Sequence, residues 1–389
     1  MARKAAADRT IAAWGRAHRF AGSKDRAAIA DRVYSVLRRR NECAFRMQSE
    51  DARALVIGSL AVGDGLEADE IAALCVDGQH ALGALSDGER ATLEDKRVPT
   101  APWIVFNYPQ WLHGEFSAAF GADLAREMAA LCGRAPLDLR VNALKANRDD
   151  VALELTLAGV VAGSLAGAPD GLRVAAGADA KVTVLPAYQE GRVEIQDEAS
   201  QRAVLLAEAR PGDTVIDLAA GAGGKALALA AAMDNRGRIL ACDVDLGRLQ
   251  QMTPRVARSG VTIIEMAGDP YGRELAALAH GGADLVFIDA PCSGTGTWRR
   301  NPESKWTLDQ ARLATYRAAQ AKLLDRAVEL VKPTGAIVYA TCSLLPSEGP
   351  VQLAAFVERH PGWQAETAQT LTPYRENTDG FFVARMVRA

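Results

Sequence analysis

Apolar and polar positions follow three textures along this 389-residue chain. Up to about residue 98 the spacing is helical. In residues 26–40, Ile29, Val33, Val36 and Leu37 recur at i, i+4, i+7 and i+8, one apolar stripe beside an arginine-rich face. Ser86, followed three residues later by Glu89, has the form of a capping box. The stretch Val98-Pro-Thr-Ala-Pro102 reads as a linker. Residues 103–190 are mixed, with helix expected over 103–132, a strand over 137–144 and a helix over 149–157. From residue 191, short apolar runs at 214–218, 239–243, 285–289 and 336–340 have the character of strands buried in a parallel sheet. A long helix is expected between the last two, its start capped by Thr307 with Gln310 and its end set by Val331-Lys-Pro333. Strands alternating with helices predict a doubly wound α/β domain, whose ligands bind beyond the carboxyl ends of the strands. The expected organisation is a helical domain over 1–98, a mixed α/β segment over 103–190 and an α/β domain over 191–389.

Composition narrows the class. Hydrophobic residues make up 49% and charged residues 24%, as in a globular protein rather than a disordered or fibrous one. No run approaches the ~18 apolar residues of a membrane span, so no membrane is expected, and Met1 to Asp8 is too polar for a secretory leader. The six cysteines are scattered without a Cys-x-x-Cys pair, which points to reduced, cytoplasmic usage; with five scattered histidines, no metal site is expected. The net charge of −3 hides a gradient. Residues 1–60 carry 13 basic against 6 acidic side chains, and residues 61–100 carry 3 against 9. A basic arm on a near-neutral protein suits either a polyanion partner or a solvated helix face.

The first strand of the last domain runs into Asp217-Leu-Ala-Ala-Gly-Ala-Gly-Gly-Lys225 and then a helix. Glycines there let backbone amides approach a ligand at a helix N-terminus. A phosphate-binding P-loop would need glycine at 219 and Ser or Thr at 226, and a dinucleotide fingerprint would need glycine at 226; both positions are alanine. What remains is an acidic strand end, a glycine turn and further acids after later strands: Asp243, Asp269 and Asp289. An acid after the second strand suits a ribose diol.

Two turns at the same sheet edge carry cysteines, Asp289-Ala-Pro-Cys-Ser-Gly-Thr-Gly296 with Arg299-Arg-Asn-Pro302, and Tyr339-Ala-Thr-Cys-Ser-Leu-Leu-Pro346. Cys43, Cys75, Cys132 and Cys242 read as structural filler, but two cysteines converging on a cofactor edge suit nucleophilic chemistry. With Asp379-Gly-Phe-Phe-Val-Ala-Arg385, these motifs closely resemble those of the RsmB/Sun-type RNA cytosine-5 methyltransferases. Upstream, Asn107-Tyr-Pro-Gln-Trp111, Leu139-Arg-Val-Asn142 and the stretch from Val193 to Gln201 are similar to that family's preceding segments, and residues 1–98 to a trimmed NusB-like helical domain.

The resemblance implies a Rossmann-like class I methyltransferase fold behind a small mixed α/β RNA-binding segment. It implies S-adenosylmethionine held by Ala219, Ala220, Gly221, Ala222, Gly223, Gly224 and Lys225, with Asp243 on the ribose, Asp269 near the adenine, Arg248 also in the cofactor site and Asp289 near the reacting centre. Cys342 matches the nucleophile and Cys292 the cysteine that assists product release. Arg140, Asn142, Arg299 and Arg300 are the expected RNA contacts. The chemistry has a reason for this set. Cytosine C5 is too electron-poor to attack a methyl sulfonium until a thiolate adds at C6, and the charge that then develops toward N3 calls for a donor, a part assigned to Asp289 in its acid form. Lys225 reads as a partner of Asp289 or of the cofactor carboxylate, or equally as a plain helix-start lysine, and Phe381 and Phe382 read first as a core pair and second as a surface against cofactor or base.

There are departures from the family pattern. Its usual Cys-Ala-Ala-Pro-Gly-Gly-Lys-Thr turn is Ala219 to Ala226 here, and Ser347-Glu-Gly-Pro350 stands where two acids and an asparagine are common. The expected activity is cytosine-5 methylation of structured RNA, first of all 16S rRNA, by a monomer. A tRNA methyltransferase and a non-catalytic ribosome-assembly factor are the competing readings.

Overall fold

The computed structural model describes residues 7–78, 81–176, 181–278 and 282–389; most of the leader reading at Met1 to Asp8 lies outside them. Two compact units divide the chain, one comprising Met1–Arg134 with Thr297–Leu308 and the other Ala135–Gly296 with Asp309–Ala389.

The first unit is built from helices, with no strand among its described residues. The helix expected over 26–40 runs from Ser23 to Arg38 and stops at Arg39, whose φ of −121° breaks it from the next helix, Arg40–Met47. Its apolar stripe is only half-buried, and Ile29 is exposed. The tighter packing lies between Arg40–Met47 and the helix Ala52–Gly63, where a Cβ at Gly58 would fall 2.7 Å from the Cys43 carbonyl oxygen. Met47, Ile57, Leu60, Ile71 and Leu93 close this core. Ser86 and Glu89 form the expected capping box, Ser86 Oγ accepting from the Glu89 amide and Glu89 from the Ser86 amide.

Much of the arginine excess in the first 60 residues is consumed inside the unit. Arg32 pairs with Asp64 and Arg53 with Glu89, so part of the basic arm answers the acidic segment that follows it. Arg39 and Arg40 pair with Glu42 and Glu50, and Arg46 donates to the Leu93 and Asp95 carbonyls. Two of those arginines, Arg32 and Arg53, thus pair across to the acidic segment.

The second unit contains two sheets. Strands β1 (Leu137–Val141), β2 (Ala162–Ser164), β3 (Gly171–Val174) and β4 (Val193–Ile195) form a four-stranded sheet in the order β2-β3-β1-β4, antiparallel throughout. Leu139, Val141, Leu172 and Val193 pack with Val151 and Leu155 from the helix Arg148–Leu157, whose N-cap is the Asn147 side chain. The larger sheet has seven strands: β5 (Thr214–Asp217), β6 (Arg238–Cys242), β7 (Ile264–Gly268), β8 (Ala283–Asp289), β9 (Val331–Thr341), β10 (Trp363–Leu371) and β11 (Phe381–Arg388), in the order β10-β11-β9-β8-β5-β6-β7. Strands β5 to β9 are parallel, while β11 and β10 close one edge antiparallel. The central strands are buried on both faces, as continuous apolar runs such as Leu285–Ile288 require.

One boundary is corrected. The long helix spans Gln310–Leu330 and is capped by Asp309, which accepts from the Arg312 amide, not by Thr307. Thr307 instead ends the short helix Ser304–Thr307, because Leu308 turns the backbone to an extended ψ of 134°.

Candidate active site

Parallel strands bring their carboxyl ends to one edge, and every acid singled out in the sequence arrives there. Asp217 ends β5, Asp289 ends β8, and Asp243 and Asp269 come one residue beyond β6 and β7. Winding reverses at β5, which has β6 on one side and β8 on the other, and this switch point is where an open α/β sheet forms its crevice.

The glycine turn sits in that crevice. Gly221 and Gly223 have φ of +53° and +82°, the left-handed region that favours glycine. A Cβ at Gly223 would lie 2.3 Å from Met252 Cγ, so space as well as φ excludes a side chain there, while at Gly221 the nearest atom is the movable Arg248 Nη2 at 2.6 Å and φ makes the demand. The turn is tied down residue by residue. The Ala220 amide donates to the Cys242 carbonyl at 2.8 Å and the Gly221 amide to Asp243 Oδ2 at 2.8 Å. Arg255 donates to the Ala222 carbonyl at 2.7 Å, and Gln196 to the Gly224 carbonyl at 3.3 Å. The helix Gly224–Ala232 begins at Gly223 without a side-chain cap, so its positive end faces the crevice. The proline missing from the turn is thus replaced by a net of backbone bonds.

Buried carboxylates set the electrostatics. Asp217 is fully buried, one of its oxygens has no hydrogen-bond partner, and burial together with the nearby Asp289 charge pushes it up to about 7. Of its candidate partners, Lys225 reaches Asp289, donating to Oδ2 at 2.6 Å. Burial pulls the ammonium down, but the Asp289 carboxylate outweighs it and the net direction is up. The same ammonium stands 5.2 Å above the Phe381 ring. Phe381 and Phe382 are both core residues, as expected. Asp289 is the acceptor in this pair.

The two cysteine turns meet. Cys292 Sγ lies 3.4 Å from Cys342 Sγ, and the Lys225 ammonium feels the charge of Cys342. The hydrogen bond to Cys342, then burial, raises the Cys292 thiol well above its ordinary range. The motif glycines have their own reason. A Cβ at Gly296 would fall 1.9 Å from the Gly380 carbonyl oxygen, and the Gly380 amide donates to the Gly296 carbonyl at 2.9 Å, so Thr-Gly-Thr and Asp-Gly-Phe-Phe are in backbone contact.

The other expected site residues differ in their exposure. Asp269 is exposed and accepts from the Tyr271 amide, and Arg248 is exposed beside Gly221. Arg140 is buried in β1, donates to Gln196 Oε1 at 2.7 Å and is lowered to about 10 by burial. Asn142 is buried and donates to the Gly191 and Ser259 carbonyls, both at 2.9 Å. Arg299 is buried in the helical unit, where its carbonyl accepts from Arg38, and Arg300 is half-buried. Arg140 and Asn142 are thus engaged in internal hydrogen bonds, and Arg299 is buried. Sequence reasoning passed over Asp217 as a site residue, Arg255, and Glu348, whose acid lies in the stretch where the family pattern breaks. Among the described residues, no cluster of His, Cys, Asp and Glu could hold a metal, and no helix is long and apolar enough to cross a membrane.

Comparison with known proteins agrees with this geometry. Residues 203–387 match the model of the 16S rRNA methyltransferase RsmB/F family, and residues 108–181 match that of the ferredoxin-like domain of RsmF/B-like methyltransferases. The chain is 33% identical over 291 residues to ribosomal RNA small subunit methyltransferase B of Salmonella arizonae, covering 73% of this chain and 67% of that protein. It is 34% identical over 292 residues to the protein of the same name from Sodalis glossinidius, covering 72% and 66%. The chain spans about two thirds of the length of these curated relatives. Among solved structures, PH0851 is similar over 96% of this chain and 93% of its own, with a TM-score of 0.78 and 26% identity. A methyltransferase homologue from Pyrococcus horikoshii covers 74% and 98%, with a TM-score of 0.64 and 25% identity.

Proposed function

This chain belongs to the RsmB/Sun family of RNA methyltransferases, and we propose that it methylates C5 of a cytosine in RNA, with 16S rRNA as the substrate, through a covalent bond between Cys342 and C6. The observation that carries the reading is the meeting of the two sulfurs, 3.4 Å apart, within electrostatic reach of the Lys225–Asp289 pair.

S-adenosylmethionine is the methyl donor, and when bound it supplies an electrophilic methyl sulfonium. The residues of the crevice suit it: the turn from Ala219 to Lys225 opens an uncapped helix N-terminus, Asp217 has an unpartnered oxygen, and Asp243 and Asp269, one residue beyond β6 and β7, would serve the ribose and the adenine. Cys342 attacks C6 as the thiolate, within electrostatic reach of the Lys225 ammonium. Asp289 accepts from Lys225 and keeps lone pairs for the 4-amino group of the base, while the ammonium offsets the charge that develops toward N3.

The sulfur pair also orders the steps. Two thiolates 3.4 Å apart repel, so Cys292 holds its proton while Cys342 is ionised. Once Cys342 is a thioether to C6 that repulsion is gone, and Cys292 can give its proton to water and, as the thiolate, take the C5 proton while the C6–S bond breaks and Cys342 leaves as the thiolate. The target base must leave any stack to reach this crevice.

Bisulfite sequencing of unmodified ribosomal RNA and tRNA transcripts, after incubation with the protein and S-adenosylmethionine, tests the proposal. One protected cytosine in 16S rRNA is expected, absent with Cys342→Ala although that variant still binds the cofactor. Transfer by Cys342→Ala at more than a few per cent of the wild-type rate would remove the nucleophile assignment.

A further inference from the structure

The two sulfurs sit on separate turns about fifty residues apart in sequence, after β8 and after β9. Something must hold those turns in register for the sulfurs to stay within 3.4 Å of each other. The structure puts one side chain there. Glu348 follows β9 in a short 3₁₀ turn, Pro346–Glu348, and is 0% exposed. No ion pair involves it among the described residues, so its carboxyl group is held by neutral donors alone.

Those donors come from the residues next to the two cysteines. The Ser293 amide donates to Oε1 at 2.9 Å, and the Ser293 hydroxyl donates to Oε2. Ser343 Oγ donates to the same Oε2 at 2.6 Å. Gln320 Nε2, from the long helix, donates to Oε1 at 3.0 Å and also to the Pro291 carbonyl at 3.0 Å. The Glu348 backbone is fixed in turn, since the Tyr339 hydroxyl donates to its carbonyl at 2.7 Å. Around this hub, Thr295 Oγ1 accepts from the Leu344 amide at 2.9 Å and the Gly296 amide donates to the Cys342 carbonyl at 3.0 Å. One buried carboxyl group therefore bonds to Ser293, beside Cys292, and to Ser343, beside Cys342.

We propose that Glu348 is a positioning residue that sets the register of the two cysteine turns and so holds the Cys292 and Cys342 sulfurs at the separation their division of labour requires. The inference rests on the roles proposed above for the two cysteines. It assigns a part to the one acid kept where Ser347-Glu-Gly-Pro350 departs from the family pattern. Its physical basis is that a buried carboxyl group with several donors fixes all of them at once, and removing it leaves the Ser293 amide without its acceptor and the two turns without their shared partner. Its charge also reaches the cysteines, being one of the influences that raise Cys292.

Glu348→Gln keeps the shape and removes the charge, Glu348→Asp keeps the charge but shortens the reach, and Glu348→Ala removes both. Two measurements on the whole chain report on the hub without requiring methyl transfer. The first is the rate at which oxidised glutathione, by thiol–disulfide exchange, converts the Cys292 and Cys342 thiols to a disulfide with release of two reduced glutathiones, followed by mass spectrometry. The second is the pH midpoint for alkylation of Cys292 by iodoacetamide. Expected are a fall in the disulfide rate of about tenfold or more in Glu348→Asp and Glu348→Ala, and a downward shift of the Cys292 midpoint in Glu348→Gln. In the methylation assay, kcat should fall with the disulfide rate while KM for S-adenosylmethionine stays near the wild-type value. Unchanged disulfide rates in Glu348→Asp, or an unmoved midpoint in Glu348→Gln, would overturn the proposal, and both hold even where Glu348→Ala does not fold. If the wild type methylates no RNA yet the sulfurs respond to Glu348 as described, the positioning role stands and the proposed reaction fails.

Discussion

Asp217 ends the central strand with its side chain fully buried and one oxygen unpartnered, and its folded-state pKa is about 7. Burial is the leading cause, followed by the Asp289 charge; Lys225 and the Ala219 amide oppose them. A carboxyl raised on folding binds its proton more tightly in the native state than in the unfolded chain. The stability it contributes is therefore complete below its unfolded pKa of 3.8 and is lost as pH rises through about 7. At ~1.36 kcal/mol per pKa unit, the wild type should lose about 2–3 kcal/mol between about pH 5 and pH 8 from this group alone. Asp217→Asn tests the figure, because the amide oxygen can still accept from Ala219 while nothing at the position titrates. Chemical denaturation of both proteins at the two pH values should show them diverging as pH rises, with the variant gaining on the wild type. Parallel pH dependences would refute the reasoning and mean that Asp217 is ionised at both pH values or hydrated in solution.

Cys292→Ala should accumulate a covalent protein–RNA adduct on a denaturing gel, since Cys342 can add to C6 but the C5 proton lacks its base; no adduct, under conditions where the wild type turns over, would leave Cys292 without a part in release. Gly296→Ala should cost about 3 kcal/mol or more in stability, because its Cβ would meet a backbone oxygen at 1.9 Å and neither backbone can swing aside; a melting temperature equal to that of the wild type would contradict the contact. Arg140→Met should destabilise the protein while leaving the affinity for RNA almost unchanged, as the guanidinium is buried against Gln196 rather than presented to a partner; a large loss of RNA affinity at unchanged stability would restore it as a contact.

The linear order of residues by itself determined the α/β alternation, the capping box at Ser86, the carboxyl-edge placement of Asp217, Asp243, Asp269 and Asp289, and the pairing of two cysteine motifs with a glycine turn. These are local properties: hydrophobic period, turn chemistry and strand length act over a few residues and leave their marks in sequence. Only the tertiary structure decided what each charged group faces. Arg140 and Asn142 look like exposed polar residues in a string, but β1 lies inside its sheet and burial turns them into structural donors. The arginines of the first 60 residues look available to a polyanion until the chain folds and Arg32 and Arg53 meet Asp64 and Glu89. Glu348 stood where a departure from the family pattern drew doubt, yet it lies between two turns that the sequence separates by about fifty residues. Electrostatics and hydrogen bonding depend on distance in space, and chain separation says little about that until the strands have set which ends come together.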